Sequence, residues 1–237
     1  MQYKKRLKIC LPIVLMLCCW LSSMTAQTRY FGELGILGGG SFYNGDANST
    51  KVFLEPHLAF GGLLRINLTN RGVLKINVIR GAVSGDSRNM DNALPGGVFA
   101  EFEREFWDVG LHFEHNFFKY GIRTWGREVK RHTPYILLGP GITIYDEWRG
   151  TELTFNFTYG VGYKFKFGKR FNLGLEWSMH KLFIDDFDVT NKDNKILDDP
   201  YQMGYSWIKN NDYYSTVFLF LSVDLIRKKS KCNVLQF

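Results

Sequence analysis

Nine ionisable side chains fall on alternate positions within runs of bulky apolar residues: Glu33, Arg65, Lys75, Asp108, Glu114, Lys164, Lys166, Glu176 and Asp224. Five are acids and four are bases, so they can neutralise one another if one enclosure holds them all. Twelve further bases gather between or after those runs: Arg71, Lys119, Arg123, Arg127, Lys130, Arg131, Lys169, Arg170, Arg227, Lys228, Lys229 and Lys231, with Glu128 the one acid among them. Concentrated positive charge of this kind steers and orients an acidic surface. The long connection Lys119–His132 is the segment expected to dock a partner without a covalent bond.

Other reactive types are present but do not assemble. Cys232 follows "RKKSK", where neighbouring lysines favour its thiolate and promote disulfide exchange with a partner chain. The Asp and Asn clusters "YNGDANST" and "DDFDVTNKDNKILDD" resemble calcium-binding loops. The second lacks the central Gly and closing Glu of a calcium loop. The five His are scattered, and His112 and His115 fall on opposite parities. No ligand set with zinc spacing results. Order and spacing also offer no nucleophile with a base and an orienting group. Neither a cofactor, a metal nor a small-molecule substrate is expected, and the chain reads as a non-enzyme. The bases lack interleaved exposed aromatics, which argues against nucleic acid.

What must position the nine charges is a set of β-strands. "FNFTYGVGYKFKF", Phe155–Phe167, alternates aromatic with small or polar residues, the period of a pleated strand. Eight such runs are predicted: Tyr30–Phe42, His57–Leu68, Val73–Gly81, Phe106–Phe117, Tyr135–Tyr145, Thr154–Phe167, Phe171–Lys181 and Tyr213–Ile226. All nine charges lie on the less apolar parity of their runs, whereas Arg80, read as a strand end, does not. An eight-stranded barrel has an interior just wide enough to be filled by side chains. The aromatic parity is too voluminous for that interior, so it is predicted to face lipid, leaving the charges inside. Gly110, Gly160, Gly162 and Gly174 share the inward parity and read as room for larger neighbours.

The fold class predicted is therefore all-β, an eight-stranded antiparallel transmembrane β-barrel. Odd connections are mostly long and acidic, whereas "TNRG" and "GKR" are short, the habit of outer-membrane barrels. Both chain ends are then expected in the periplasm. At the start, "MQYKKRLK", "ICLPIVLMLCCWL" and "SSMTAQ" read as the basic, apolar and small-residue parts of a secretory signal. The expected organisation is a signal peptide at 1–26, an outer-membrane barrel at 27–226 and a basic periplasmic tail at 227–237. Removing the signal takes Lys4, Lys5, Arg6 and Lys8 and no acid, lowering the formal net charge of +7 by four. It also leaves Cys232 without an intramolecular partner.

Several segments, in order, resemble a known family: "ELGILGGGSFYNGDAN", "PHLAFGGLLRINLTNRGVLKINV", "FWDVGLHFEHNFF", "TPYILLGPGI", "NLGLEWSMHKLFIDDFDV" and "NNDYYSTVFLFLS". The set is similar to the PorG-like outer-membrane barrels of the type IX secretion system and covers most of residues 30–226. The loop Thr190–Lys209 and the basic tail depart from that pattern. The resemblance implies a structural component of the secretion machinery that joins the outer membrane to periplasmic ring proteins resembling PorK and PorN. From their charge and predicted rim position, Arg123, Arg127, Lys130, Arg131, Arg227, Lys228, Lys229 and Lys231, with the thiol of Cys232, are expected to form the partner-binding face. The alternative is a generic small outer-membrane barrel acting as adhesin or narrow pore.

Overall fold

The computed structural model describes residues 30–45, 53–89, 99, 101–121, 129–147, 150–184, 187, 189 and 212–226. The expected signal segment and basic tail lie outside them. Eight antiparallel strands close into a barrel in chain order. They are β1 (Tyr30–Asn44), β2 (His57–Asn67), β3 (Gly72–Asp86), β4 (Glu101–Asn116), β5 (His132–Glu147), β6 (Gly150–Phe167), β7 (Phe171–Leu182) and β8 (Tyr213–Ile226). Closure runs through β1 and β8, where Glu33 pairs with Asp224 and Tyr43 with Tyr214.

Alternation places the two parities on opposite sides of this wall. Along β4, Trp107, Val109, Leu111 and Phe113 are exposed, while Asp108, His112 and Glu114 are buried. Along β6, Phe155, Phe157, Tyr159, Val161, Tyr163, Phe165 and Phe167 are all exposed, and Lys164 and Lys166 are buried. An exposed apolar band that encircles a closed sheet is stable against acyl chains rather than water. The chain is thus a membrane-spanning barrel, and the aromatic parity is its lipid face. Trp107 to Phe117 has about the length a tilted strand needs to cross a bilayer.

Two strand pairs run further than the sequence predicts. β3 continues to Asp86 and β4 begins at Glu101, whereas Gly81 and Phe106 were the expected ends. β5 and β6 are joined through residues 148–149 only, in place of a longer loop. The physical reason is a change of surroundings. Above the apolar band, outward positions meet water, so Ala82, Ser84, Asp86, Glu101, Glu103 and Glu105 replace the bulky residues and the alternation in hydropathy fades. Arg80 consequently lies inside β3 and not at its end, where it pairs with Glu105 at 2.8 Å and overlies Trp107.

At the opposite rim, which carries Tyr30 and Ile226, the β2–β3 and β6–β7 turns are tight, whereas β4 and β5 are joined by residues 117–131. Gly168 takes φ +63° between β6 and β7, a left-handed conformation that only glycine adopts without strain. Thr69 Oγ1 accepts the N–H groups of Gly72 (2.7 Å) and Arg71 (3.2 Å) between β2 and β3.

Candidate functional site

Inward side chains fill the barrel in successive layers. All nine charges assigned to the inward parity are buried in the lumen. Nearest the terminal rim, Lys166 Nζ donates to Asp224 (2.5 Å) and to Asn172 Oδ1 (2.7 Å), and Asn172 Nδ2 donates to Asp224 (2.7 Å). Tyr120, from the β4–β5 connection, is folded under this opening and donates its hydroxyl to Asn172 at 2.5 Å. Burial, with the carboxylates of Glu33 and Asp224 nearby, pushes that hydroxyl far above the usual phenol range, so it stays a neutral donor.

The next layer centres on Arg65. Its guanidinium donates to Glu114 (2.7 Å), lies 3.4 Å from Glu33 and 3.7 Å from Glu176, and stacks 4.2 Å from the Phe220 ring centroid. Glu114 also takes Lys164 (3.2 Å), and Glu176 takes Lys75 (2.5 Å) and the Tyr135 hydroxyl (2.7 Å). Every carboxylate in the layer thus has at least one cation beside it, which offsets the cost of taking it out of water. Leu37, Ala59, Leu63, Ile79, Leu137 and Phe218 pack around these groups. Gly162 leaves the space that the Tyr135 ring occupies, and Gly174 does the same for Phe220.

Higher still, Asp108 Oδ2 accepts from the Tyr214 hydroxyl (2.8 Å) and Asn156 (2.6 Å), and His180 stacks on Tyr214 with ring centroids 4.4 Å apart. The loop rim is closed by an apolar plug of Tyr43, Val83, Phe102, Phe106, Tyr145, Leu182, Phe187, Val189 and Tyr214. Asp212 latches it, taking the Tyr43 hydroxyl (2.6 Å) and the Phe187 N–H (3.0 Å). Arg104 spans the plug, donating to the Val189 carbonyl (2.8 Å) with Tyr145 under its guanidinium. Arg104 falls between the predicted runs Val73–Gly81 and Phe106–Phe117, in what the sequence alone predicts as a connection.

Of the expected partner face, Lys130 and Arg131 are described and exposed, with Lys130 Nζ 3.9 Å from the Phe118 ring centroid. Arg123, Arg127, Arg227, Lys228, Lys229, Lys231 and Cys232 lie outside the described residues, as do most of both Asp/Asn clusters. Among the described residues no group of three or more His, Cys, Asp or Glu is placed to hold a metal ion.

One cluster escaped the sequence reading. β2 begins at His57, and in the chain before it Glu55 reaches Ser84 on β3 while Phe53 lies against Phe42 of β1 and Trp177 of β7. There His57 Nε2 lies 2.8 Å from Ser84 Oγ, and Ser84 donates to Glu55 Oε2 at 2.7 Å. Glu103, paired with Ser84 across β3 and β4, approaches His57 Nδ1 to 3.9 Å. These residues come from three strands and a loop, so no spacing rule finds them. The lone signal is Ser84 and Glu103 on the outward parity above the apolar band, since His57 shares the inward parity of Ala59, Leu63 and Arg65.

A family model described as a domain of unknown function (DUF6089) matches residues 8–233. No curated protein matches the chain. Among solved structures, the N-terminal β-barrel domain of OprF from Pseudomonas aeruginosa is 12% identical, with 81% of this chain and 97% of that one covered and a TM-score of 0.45. Ail, the attachment invasion locus protein of Yersinia pestis, in complex with the heparin analogue sucrose octasulfate, is 11% identical, with 84% and 100% covered and a TM-score of 0.45. Neisserial surface protein A is 8% identical, with 84% and 98% covered and the same TM-score.

Proposed function

The chain belongs to the DUF6089 family, and from that premise we propose that it is a structural outer-membrane component of a type IX protein secretion machinery, joining the membrane to a periplasmic lipoprotein ring. The observation that carries this reading is the solid lumen. Charge pairs, Phe218, Phe220 and the Phe187 plug occupy successive levels, so the described residues fill the lumen at each of them, which supports a use that lies in what the rims hold. Short turns at the end carrying Tyr30 and Ile226 support a periplasmic location for that rim. Exposed Lys130 and Arg131 there support contact with an acidic partner. The ordered likeness to PorG-like barrels supplies the choice of machinery, and ring proteins resembling PorK and PorN are the partners it suggests.

Deletion of the gene followed by assay of exported cargo tests the role, because only a secretion component stops many other proteins from reaching the surface. Normal export in the deletion strain overturns it. Charge reversal at Arg123, Arg127 and Lys130 should lower co-purification of ring proteins at unchanged barrel levels.

An adhesin is the second reading. It is favoured by the projecting ends of β3 and β4, whose exposed Glu101, Glu103 and Glu105 stand above the apolar band. Loss of surface binding with intact cargo export would select it.

A further inference from the structure

Ser84, His57, Glu55 and Glu103 form a constellation outside the barrel that neither the lumen network nor the scaffold role uses. A serine hydroxyl lies 2.8 Å from the Nε2 of an imidazole whose Nδ1 faces a carboxylate. The hydroxyl and imidazole are at hydrogen-bond distance, and the 3.9 Å between Nδ1 and Glu103 must shorten for the set to reach the arrangement by which a hydroxyl loses its proton as it attacks a carbonyl carbon. Ser84 and His57 are part-buried, so both are held by packing yet open to a substrate. Glu55 has φ +51°, an uncommon conformation for a residue with a side chain. Backbone of that kind persists where surrounding structure enforces it, and it occurs often at functional sites.

The position selects the substrate. Leu58, next to His57, is 86% exposed, and Phe60 and Phe53 also stand outward. Ser84 lies four residues beyond Arg80, which with Trp107 marks the edge of the apolar band, so its hydroxyl stands roughly 13 Å along the strand from that edge. An amphiphile lying against the wall with its acyl chains below Phe60, which pairs with Arg80 at the band edge, would carry its head group past Leu58 and bring an ester borne on that head group near Ser84. We propose that this cluster is a hydrolytic site for carboxylic esters of membrane amphiphiles, with Ser84 as nucleophile, His57 as base and Glu103 as the positioning residue for the imidazole.

In the resting arrangement Glu55 takes the Ser84 hydrogen, and rotation about the Cβ–Oγ bond redirects it to His57 Nε2. Ser84 Oγ then bonds to the ester carbonyl carbon while its proton passes to Nε2. Collapse of the adduct breaks the carbon–alkoxy bond, and His57 returns the proton to the departing alkoxide. Water, deprotonated by the same imidazole, attacks the acyl-serine, which frees the carboxylic acid and restores the hydroxyl. Ester and water are the only reactants, and no oxidant or reductant enters.

The test uses the full-length chain in detergent micelles, treated with an alkyl fluorophosphonate and analysed by peptide mass spectrometry. Phosphonylation at Ser84 is expected, with none in S84A and little in H57A. Hydrolysis of p-nitrophenyl laurate should fall about a hundredfold or more in both variants, and should exceed that of the butyrate ester in the unaltered chain. In E103Q the rate should fall, with partial return in Glu103→Asp. Heat-modifiable migration on cold gels checks that each variant remains a folded barrel. Absence of Ser84 labelling in the unaltered folded chain, or equal hydrolysis in S84A, overturns the assignment. Cargo export should persist in cells carrying S84A, which separates this site from the scaffold role.

Discussion

Arg65 and Glu114 meet at 2.7 Å with both side chains fully withdrawn from solvent. Arg65 is the shared cation of three carboxylates, so its value lies less in one bond than in what its loss would strand. Arg65→Met leaves five lumen acids facing three bases. Removing one member of a buried ion pair costs about 3–5 kcal/mol. Urea unfolding from phospholipid vesicles should show a loss of that size. A double substitution that also replaces Glu114 by Leu should cost less than the two single changes added together.

Packing in the lumen predicts a sharp contrast among glycines. A side chain at Gly162 meets the Tyr135 ring, and one at Gly174 meets the Phe220 ring. Gly162→Val and Gly174→Leu should each destabilise by about 1–3 kcal/mol, the range for overfilling a packed interior. Gly38 has nothing within 4 Å of its added methyl, so Gly38→Ala should leave stability unchanged in the same titration.

Depth in the membrane can be read from the outer wall. Val161 pairs with Ile136 and Trp177 in the middle of the apolar band. Leu153 is level with Trp107 through Ile144, near the band's edge. Val161→Arg should cost about 2–4 kcal/mol and Leu153→Arg about 0–1 kcal/mol. Equal costs would contradict this placement of the band.

Sealing at several levels gives a prediction about conductance. The unaltered chain in planar bilayers should show no steady current. Phe187→Ala loosens the plug at the loop rim but leaves Arg65, Phe218, Phe220 and the Lys166–Asp224 pair in the way. It too should remain silent, although limited proteolysis should cut its loops faster. A steady current from either chain would favour a pore.

The strands and their inward parity were legible because lipid outside and ions inside differ so strongly that each residue reports its side. Lys164 and Lys166 among aromatic neighbours leave only one workable register. Legibility ended where that contrast ended. At Ser84, Asp86, Glu101, Glu103 and Glu105 both sides of the wall are polar or wet, so the extended hairpin read as a loop. Arg104 was misplaced for the same reason, and its burial depends on Phe187 and Val189, which arrive from a distant connection. The Ser84 and His57 contact was hidden differently. It depends on β2 stopping one strand-end short of its neighbours, a property of relative lengths that no local pattern encodes.

Closure through β1 and β8 has a consequence for biogenesis. The seam joins the first strand made to the last, and Arg65 and Lys166 each need something β8 brings, the Phe220 ring for one and the Asp224 carboxylate for the other. Until residues 213–226 arrive, an open sheet would leave Lys166 without its carboxylate and Arg65, still paired with Glu114, without its ring cover. Insertion must therefore keep the unfinished concave side wet, and the final zippering expels that water as it makes the molecule whole.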